Sequence, residues 1–131
     1  MDKFKHYTDH NRRVIYREFK NHLYLEDIRE SWNIILDTKE FVDNDYDLVS
    51  DYRQVVMKIG FRQIFEVLRF YSRNKDYIKG SNHAVITDSP RPTAFSTFFE
   101  GKASVFYPIN YKTFSSYNKA LEWLNKEPLV Q

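Results

Sequence analysis

The stretch His83-Ala84-Val85-Ile86-Thr87-Asp88-Ser89-Pro90 decides the fold. Its first half reads as a compact apolar strand. Ser89-Pro90 then reads as a helix start, with Ser as the cap and Pro at the first helical position. The helix that follows carries Ala94, Phe95, Phe98 and Phe99 and is expected to stop near Gly101. Beyond it, Ser104-Val105-Phe106-Tyr107 reads as another strand, ended by Pro108, and a last helix runs from Ser115 to Lys126 with Tyr117, Ala120, Leu121 and Leu124 as its core face.

The same alternation holds upstream. Phe61, Ile64, Phe65, Leu68 and Tyr71 make a helical stripe, and Leu48-Val49-Ser50-Asp51-Tyr52 precedes it as a strand, with Val55 and Val56 following. Leu25, Ile28, Trp32, Ile35 and Leu36 lie on one face of an earlier helix, whose start holds Glu26, Asp27 and Glu30, favourable to the helix dipole. The chain begins as a hairpin: Phe4 to Thr8, the turn residues Asp9-His10-Asn11, then the strand Val14 to Phe19. Strands recurring between helices predict a single α/β domain over 1–131, with a mixed, largely parallel sheet, an N-terminal hairpin and about four helices packed on the sheet.

Composition bounds the function. The 131 residues include 20 basic and 18 acidic side chains, so the net charge is +2, too balanced for a strongly cationic nucleic-acid binder. The absence of cysteine excludes a disulfide scaffold, thiolate zinc sites and thiol catalysis. Three glycines exclude nearly every glycine-rich phosphate cradle. The opening residues carry no apolar run of the secretory type, and no stretch is apolar enough to span a bilayer, so a cytoplasmic protein is expected.

Three short stretches resemble STAS-like domains of the SpoIIAA-like kind: the strand-to-helix junction His83 to Pro90, the Ala120-Leu121-Glu122-Trp123-Leu124 run preceded by Val105-Phe106, and Asp51-Tyr52-Arg53 at a strand end. The resemblance covers about Phe4 to Glu127 and implies a small α/β domain with helices on a mixed sheet. Members of the wider group antagonise anti-sigma factors or regulate transporters, and others are similar to lipid-transfer domains of the CRAL-TRIO type. The antagonists carry a phosphorylatable Ser at the start of the helix after the central strand. Here Gln54 to Phe61 contains neither Ser nor Thr, so no phosphoserine switch is carried over.

The candidate sites follow from placement. Asp51, Asp88, Ser89 and Arg91 are candidates for binding a ligand or anion: open α/β sheets place ligands at the carboxyl ends of their strands, and a helix start offers free N–H groups. Ser89 has no nucleophile elbow and no identifiable base, which favours a cap over a catalyst. His6 and His10 flank a turn where their spacing does not converge, and Asp43, Asp45 and Asp47 lack the glycine and glutamate of a calcium loop, so no metal or cofactor is expected. Residues 53–79 hold seven basic and two acidic side chains. Lys58, Arg62, Arg69 and Arg73 fall within about 60° of one another on a helix, a ridge suited to an acidic protein surface or an anionic membrane. The expected function is a non-enzymatic regulatory or interaction module. The alternative is a carrier or sensor of a small apolar or lipid-like ligand in a cleft walled by Phe95, Phe98, Phe99, Phe61 and Phe65. No nucleic-acid partner is expected, and a homodimer is compatible with the sequence.

Overall fold

A computed structural model describes residues 4–106 and 109–129. The chain runs β1 (Phe4–Asp9), β2 (Val14–Leu23), α1 (Leu25–Leu36), the single turn α2 (Lys39–Val42) and β3 (Asp47–Met57). A 3-10 turn (Phe61–Gln63) leads into α3 (Ile64–Arg73) and the single turn α4 (Lys75–Ile78). Then come β4 (Asn82–Ile86), α5 (Pro90–Phe106), β5 (Asn110–Phe114) and α6 (Tyr117–Trp123). The sheet order is β1-β2-β3-β4-β5. Only β1 and β2 are antiparallel; every other pair is parallel. This is the mixed, largely parallel α/β sheet with an N-terminal hairpin that the strand–helix alternation predicts, with two single-turn helices added.

The hairpin closes where turn chemistry demands it. Asp9 Oδ1 accepts the N–H groups of Asn11 and Arg12, each at 3.0 Å, and its other oxygen pairs with the Arg12 guanidinium at 2.6 Å. Arg13 takes a left-handed φ of 58° to turn the chain into β2.

Side-chain alternation separates the two faces. Val14, Tyr16, Val49, Ala84 and Ile86 pack on one face against Ala120, Leu121 and Leu124 at the end of the chain. Ile15 and Leu48 point the other way, into a larger core with Trp32, Ile35, Phe41, Ile64, Tyr71 and Ile78. Consecutive right-handed crossovers moving one way along the sheet put their helices on the same face, so α1, α3 and α5 share a layer and α6 alone covers the other. Between Glu18 and Lys20 the β2–β3 register slips by one residue, the extra one lying in β3. Inward positions in β3 therefore pass from Ser50 and Tyr52 to Val55 and Met57, which keeps the far end of the strand on the helical layer.

Three expectations are corrected. Ser104 to Phe106 is not a strand but the last turn of α5, which runs on through Gly101; Tyr107 and Pro108 lie outside the described residues. The fifth strand is Asn110–Phe114 instead. A β-branched and aromatic run can end a helix as readily as fill a strand, and the polar alternation of an edge strand hid β5. The last helix is shorter than Ser115 to Lys126: Ser116 caps it by accepting from the Lys119 N–H, and it ends at Trp123. Finally, Phe61 and Phe65 do not face the core. Phe61 sits in the 3-10 turn, out of phase with α3, whose buried side chains are Ile64, Val67 and Tyr71.

Leu121 is fully buried, so Leu121→Ala is expected to cost about 2–5 kcal/mol. Phe65→Ala should change stability by no more than about 0.5 kcal/mol, because that ring is largely in water. Paired urea melts measure both, and equal shifts for the two variants would contradict this core.

Candidate functional site

At the carboxyl ends of the strands the structure brings some of the expected residues together and separates others. Asp51, at the end of the straight part of β3, is buried and fully engaged. Its Oδ1 accepts from the Arg53 backbone N–H and Nε, each at 3.0 Å, and its Oδ2 accepts from Nη2 at 2.9 Å. The extra residue in β3 puts Arg53 beside it. The same guanidinium lies over the Tyr117 ring and within electrostatic reach of Asp88. Asp88 is exposed, and Ser89 stands just before Pro90, the first residue of α5, with its carbonyl accepting from the Thr93 N–H. Arg91 turns away and donates to the Ile59 carbonyl at 2.9 Å, tying the start of α5 to the loop after β3. Asp51 and Asp88 thus gather around Arg53, whereas Arg91 serves another loop.

The basic ridge is only partly on a helix. Lys58 belongs to the loop after β3, where its backbone N–H donates to the Leu23 carbonyl. Arg62 lies in the 3-10 turn and Arg69 and Arg73 on α3, all three exposed. Among the described residues no carboxylate lies within 4.0 Å of these three guanidiniums; Glu66 on the same helix is engaged by Arg29 at 3.3 Å. Beside them Phe61 is 67% and Phe65 51% exposed.

The sequence reading passed over the most unusual group. Arg17 sits between Ile15 and Phe19 on the helical face of β2 and is 1% exposed. Its Nε donates to Ser50 Oγ at 2.5 Å and its Nη1 to Ser31 Oγ at 3.2 Å. Its guanidinium lies 4.6 Å from the Trp32 ring and 5.3 Å from that of Phe19. Ser50 Oγ also bonds His83 Nε2 at 2.8 Å, and Ser31 Oγ bonds His6 Nε2 at 2.7 Å. No carboxylate pairs with Arg17 among the described residues. The signal was available: a charged residue at an inward position of a strand alternating with Ile15 and Phe19.

Around this cation both imidazoles are held neutral. Burial, then the charge of Arg17, lowers His6 to about 4 and pushes His83 well below its ordinary range. Buried Nδ1 of His83 and Nε1 of Trp32 have no hydrogen-bond partner among the described residues. His10, by contrast, leaves the network and bonds the Tyr46 hydroxyl, so His6 and His10 do not converge. Among the described residues no three His, Asp or Glu side chains group to hold a metal ion.

Next to the network, under α3 and α5, lies a cleft with apolar walls from Met57, Val67, Phe95 and Phe99. Tyr52, Tyr71, Tyr111 and Ser96 also line it. Tyr111 and Ser96 hydroxyls are 3.2 Å apart, and Ser96 bonds Thr113 at 2.6 Å. Phe95 and Phe99 do wall the cleft, as expected; Phe61, Phe65 and Phe98 do not line it. Its free volume is about 40 Å³.

No protein-family profile and no curated protein matches the chain. Among solved structures, the chain is similar to an uncharacterised protein of the DUF3478 family with a SpoIIAA-like fold from Shewanella loihica PV-4. The TM-score is 0.62 at 13% identity, over 92% of this chain and 91% of that one. The chain has the SpoIIAA-like fold. No helix among the described residues is long and apolar enough to cross a membrane.

The histidines set a pH dependence. Their folded-state values are depressed, so between about 6.5 and about 4 the unfolded chain binds protons that the folded chain refuses. This stability is complete above the upper limit and is lost as pH falls through the window. Urea denaturation across it is expected to show falling stability, less steeply in His6→Gln. A flat profile in the parent would contradict the neutral imidazoles.

Proposed function

We propose that this protein is a non-enzymatic regulatory module that docks an acidic protein surface through the outer face of α3 and the turn before it. One observation carries the reading: two phenylalanine rings, more than half exposed, stand beside Arg62, Arg69 and Arg73, which have no carboxylate partner among the described residues. Arginine with aromatic rings is the composition of protein-interface anchors. The resemblance adds a point of position. In the antagonists the phosphorylatable Ser opens the helix after the central strand; here that place holds Phe61 and Arg62, a docking surface with a fixed charge.

A lipid carrier is disfavoured by size. Ligand pockets run to roughly 300–1,000 Å³, whereas the cleft offers about 40 Å³.

Affinity capture from the native host at low and high salt, with the parent, with Arg62→Glu/Arg69→Glu/Arg73→Glu and with Phe61→Ala/Phe65→Ala, tests the docking face. One acidic protein held by the parent, released by salt and lost by both variants is the expected result. Equal retention by the parent and the variants would overturn it. So would co-sedimentation of the parent, but not the charge variant, with phosphatidylglycerol vesicles in the absence of any captured protein.

A further inference from the structure

We propose that the open edge of β3, past the end of β4, takes up an extended segment of a partner protein as an added strand parallel to β3. That segment carries small apolar side chains toward the cleft and an acidic residue near its carboxyl end. The inference does not rest on the α3 face. It begins from unequal pairing on the two sides of β3. That strand pairs with β2 as far as Met57, but with β4 only from Leu48 to Asp51, because β4 ends at Ile86 and the chain turns into α5 at Pro90. Beyond Asp51 the far side of β3 is an edge. Along a strand, alternate residues turn their N–H and C=O groups to the same side. The Lys58 N–H donates to the Leu23 carbonyl, so Val56 also faces β2, and Val55 and Met57 face away from it. Asp51 takes the Arg53 N–H at 3.0 Å. No backbone group among the described residues meets Val55 or Met57 on the open side.

Three features say what fits there. An unpaired row of N–H and C=O groups is matched by extended backbone. The cleft lies along the same edge: Met57 and Ile59 line it from β3 and the loop after it, and Pro92 and Phe95 from the start of α5. A strand laid beside Val55 and Met57 turns alternate side chains toward α5, and a free volume of about 40 Å³ admits a few methyl-sized groups. On the opposite face Val56 is 52% exposed, an apolar β-branched side chain that a cross-strand neighbour would cover. The two ends of the slot differ in charge. Asp88 stands exposed just past the end of β4, whereas Lys58 and Arg91, both exposed, stand at the far end, where Arg91 donates to the Ile59 carbonyl. A segment running parallel to β3 brings its carboxyl end to those two cations. Antiparallel pairing of two β3 edges about Val55 would instead set Arg53 of one copy beside Lys58 of the other, a like-charge contact.

Hydrogen exchange of the backbone amides, followed by NMR in the full chain, reads the edge. In the free protein Val56 and Lys58 are expected to be protected, and Val55 and Met57 to exchange fast. The probe is the blocked peptide acetyl-Thr-Val-Thr-Val-Thr-Asp-amide, made also with N-methyl groups on its valines or on its threonines. The unmethylated peptide should protect Val55 and Met57 saturably. One methylated form should bind about tenfold or more weakly and the other nearly as well, because an added strand uses only every second N–H. Val55→Pro removes an edge N–H that the fold does not use and should abolish binding. Should that variant not fold, Lys58→Glu carries the test, since it changes an exposed side chain and should weaken the peptide severalfold. The charge variant of the α3 face should bind the peptide like the parent protein, so the two readings fail separately. Slow exchange at Val55 and Met57 in the free protein, no saturable protection with the peptide, equal binding by the two methylated forms, or unchanged binding in folded Val55→Pro or in Lys58→Glu would each overturn the assignment. So would protection of Val55 that rises with protein concentration alone, which would put a second copy on the edge.

Discussion

The buried guanidinium of Arg17 is the constraint around which the helical layer is arranged. A charge that cannot be neutralised must be solvated by the protein, and each neighbouring element supplies part of that shell. Ser31 comes from α1, Ser50 from β3 and the Trp32 face from the next residue of α1. Those partners then recruit their own: His83 of β4 on Ser50 and His6 of β1 on Ser31. Four strands and one helix are thus linked through a single cation. The parallel register of β2 with β3 and of β3 with β4 is what sets these side chains abreast, with Arg17 opposite Ser50 and Ser50 opposite Val85 in the ladder. A slip of one residue between β2 and β3 would send Arg17 and Ser50 to opposite faces and strand the charge, and one between β3 and β4 would part Ser50 from His83. The network therefore specifies register as well as costing desolvation.

The two faces of the sheet differ in size. The α6 face is the smaller, closed by Ala120, Leu121 and Leu124 over Val49 and Ala84, with Tyr16, Phe114, Tyr117 and Trp123 packed among them. The other face spans a wide layer and fills it with rings. Trp32 meets Phe41, Tyr71 and His83 edge-on, and Phe19 stacks on Tyr52 at 4.9 Å. Rigid aromatic rings leave gaps that flexible aliphatic chains would close, and their hydroxyls need partners. The cleft beside Tyr52 and Tyr111 is a consequence of that choice. Its polar lining follows from it too.

This asymmetry explains what the sequence revealed. Elements with strong period, such as α1 with Trp32 and Ile35 or the apolar β4, were legible because burial on a fixed face leaves a pattern. β5 was not, since an edge strand paired only to β4 alternates Tyr111 and Thr113 with the polar Lys112 and carries little apolar signal. Phe61 and Phe65 matched a helical stripe in spacing, yet the 3-10 turn rotates the first out of phase and Val67 takes the inward place. Among the site residues, the placement of Asp51 at a strand end was readable, but its capture by Arg53 was not. That contact depends on an extra residue in β3, which only the pairing with β2 defines. Arg17 could be read only by trusting strand parity over the expectation that charges face water.

α3 has a part in both surfaces. Its inner side places Val67 and Tyr71 against the cleft, and its outer side carries Phe65, Arg69 and Arg73. The helix has only ten residues, and three buried side chains anchor it to the core. A helix this short owes its place to those contacts more than to its own hydrogen bonds. Its approach is steered by the loop after β3, where the Ile59 carbonyl is held by Arg91 from the start of α5. Arg91 thus ties the start of α5 to the loop that leads into α3, and Tyr71 and Phe99 meet edge-on further along. Because Val67 and Tyr71 both wall the cleft and anchor α3, the contacts that line the cleft also fix where its outer arginines stand.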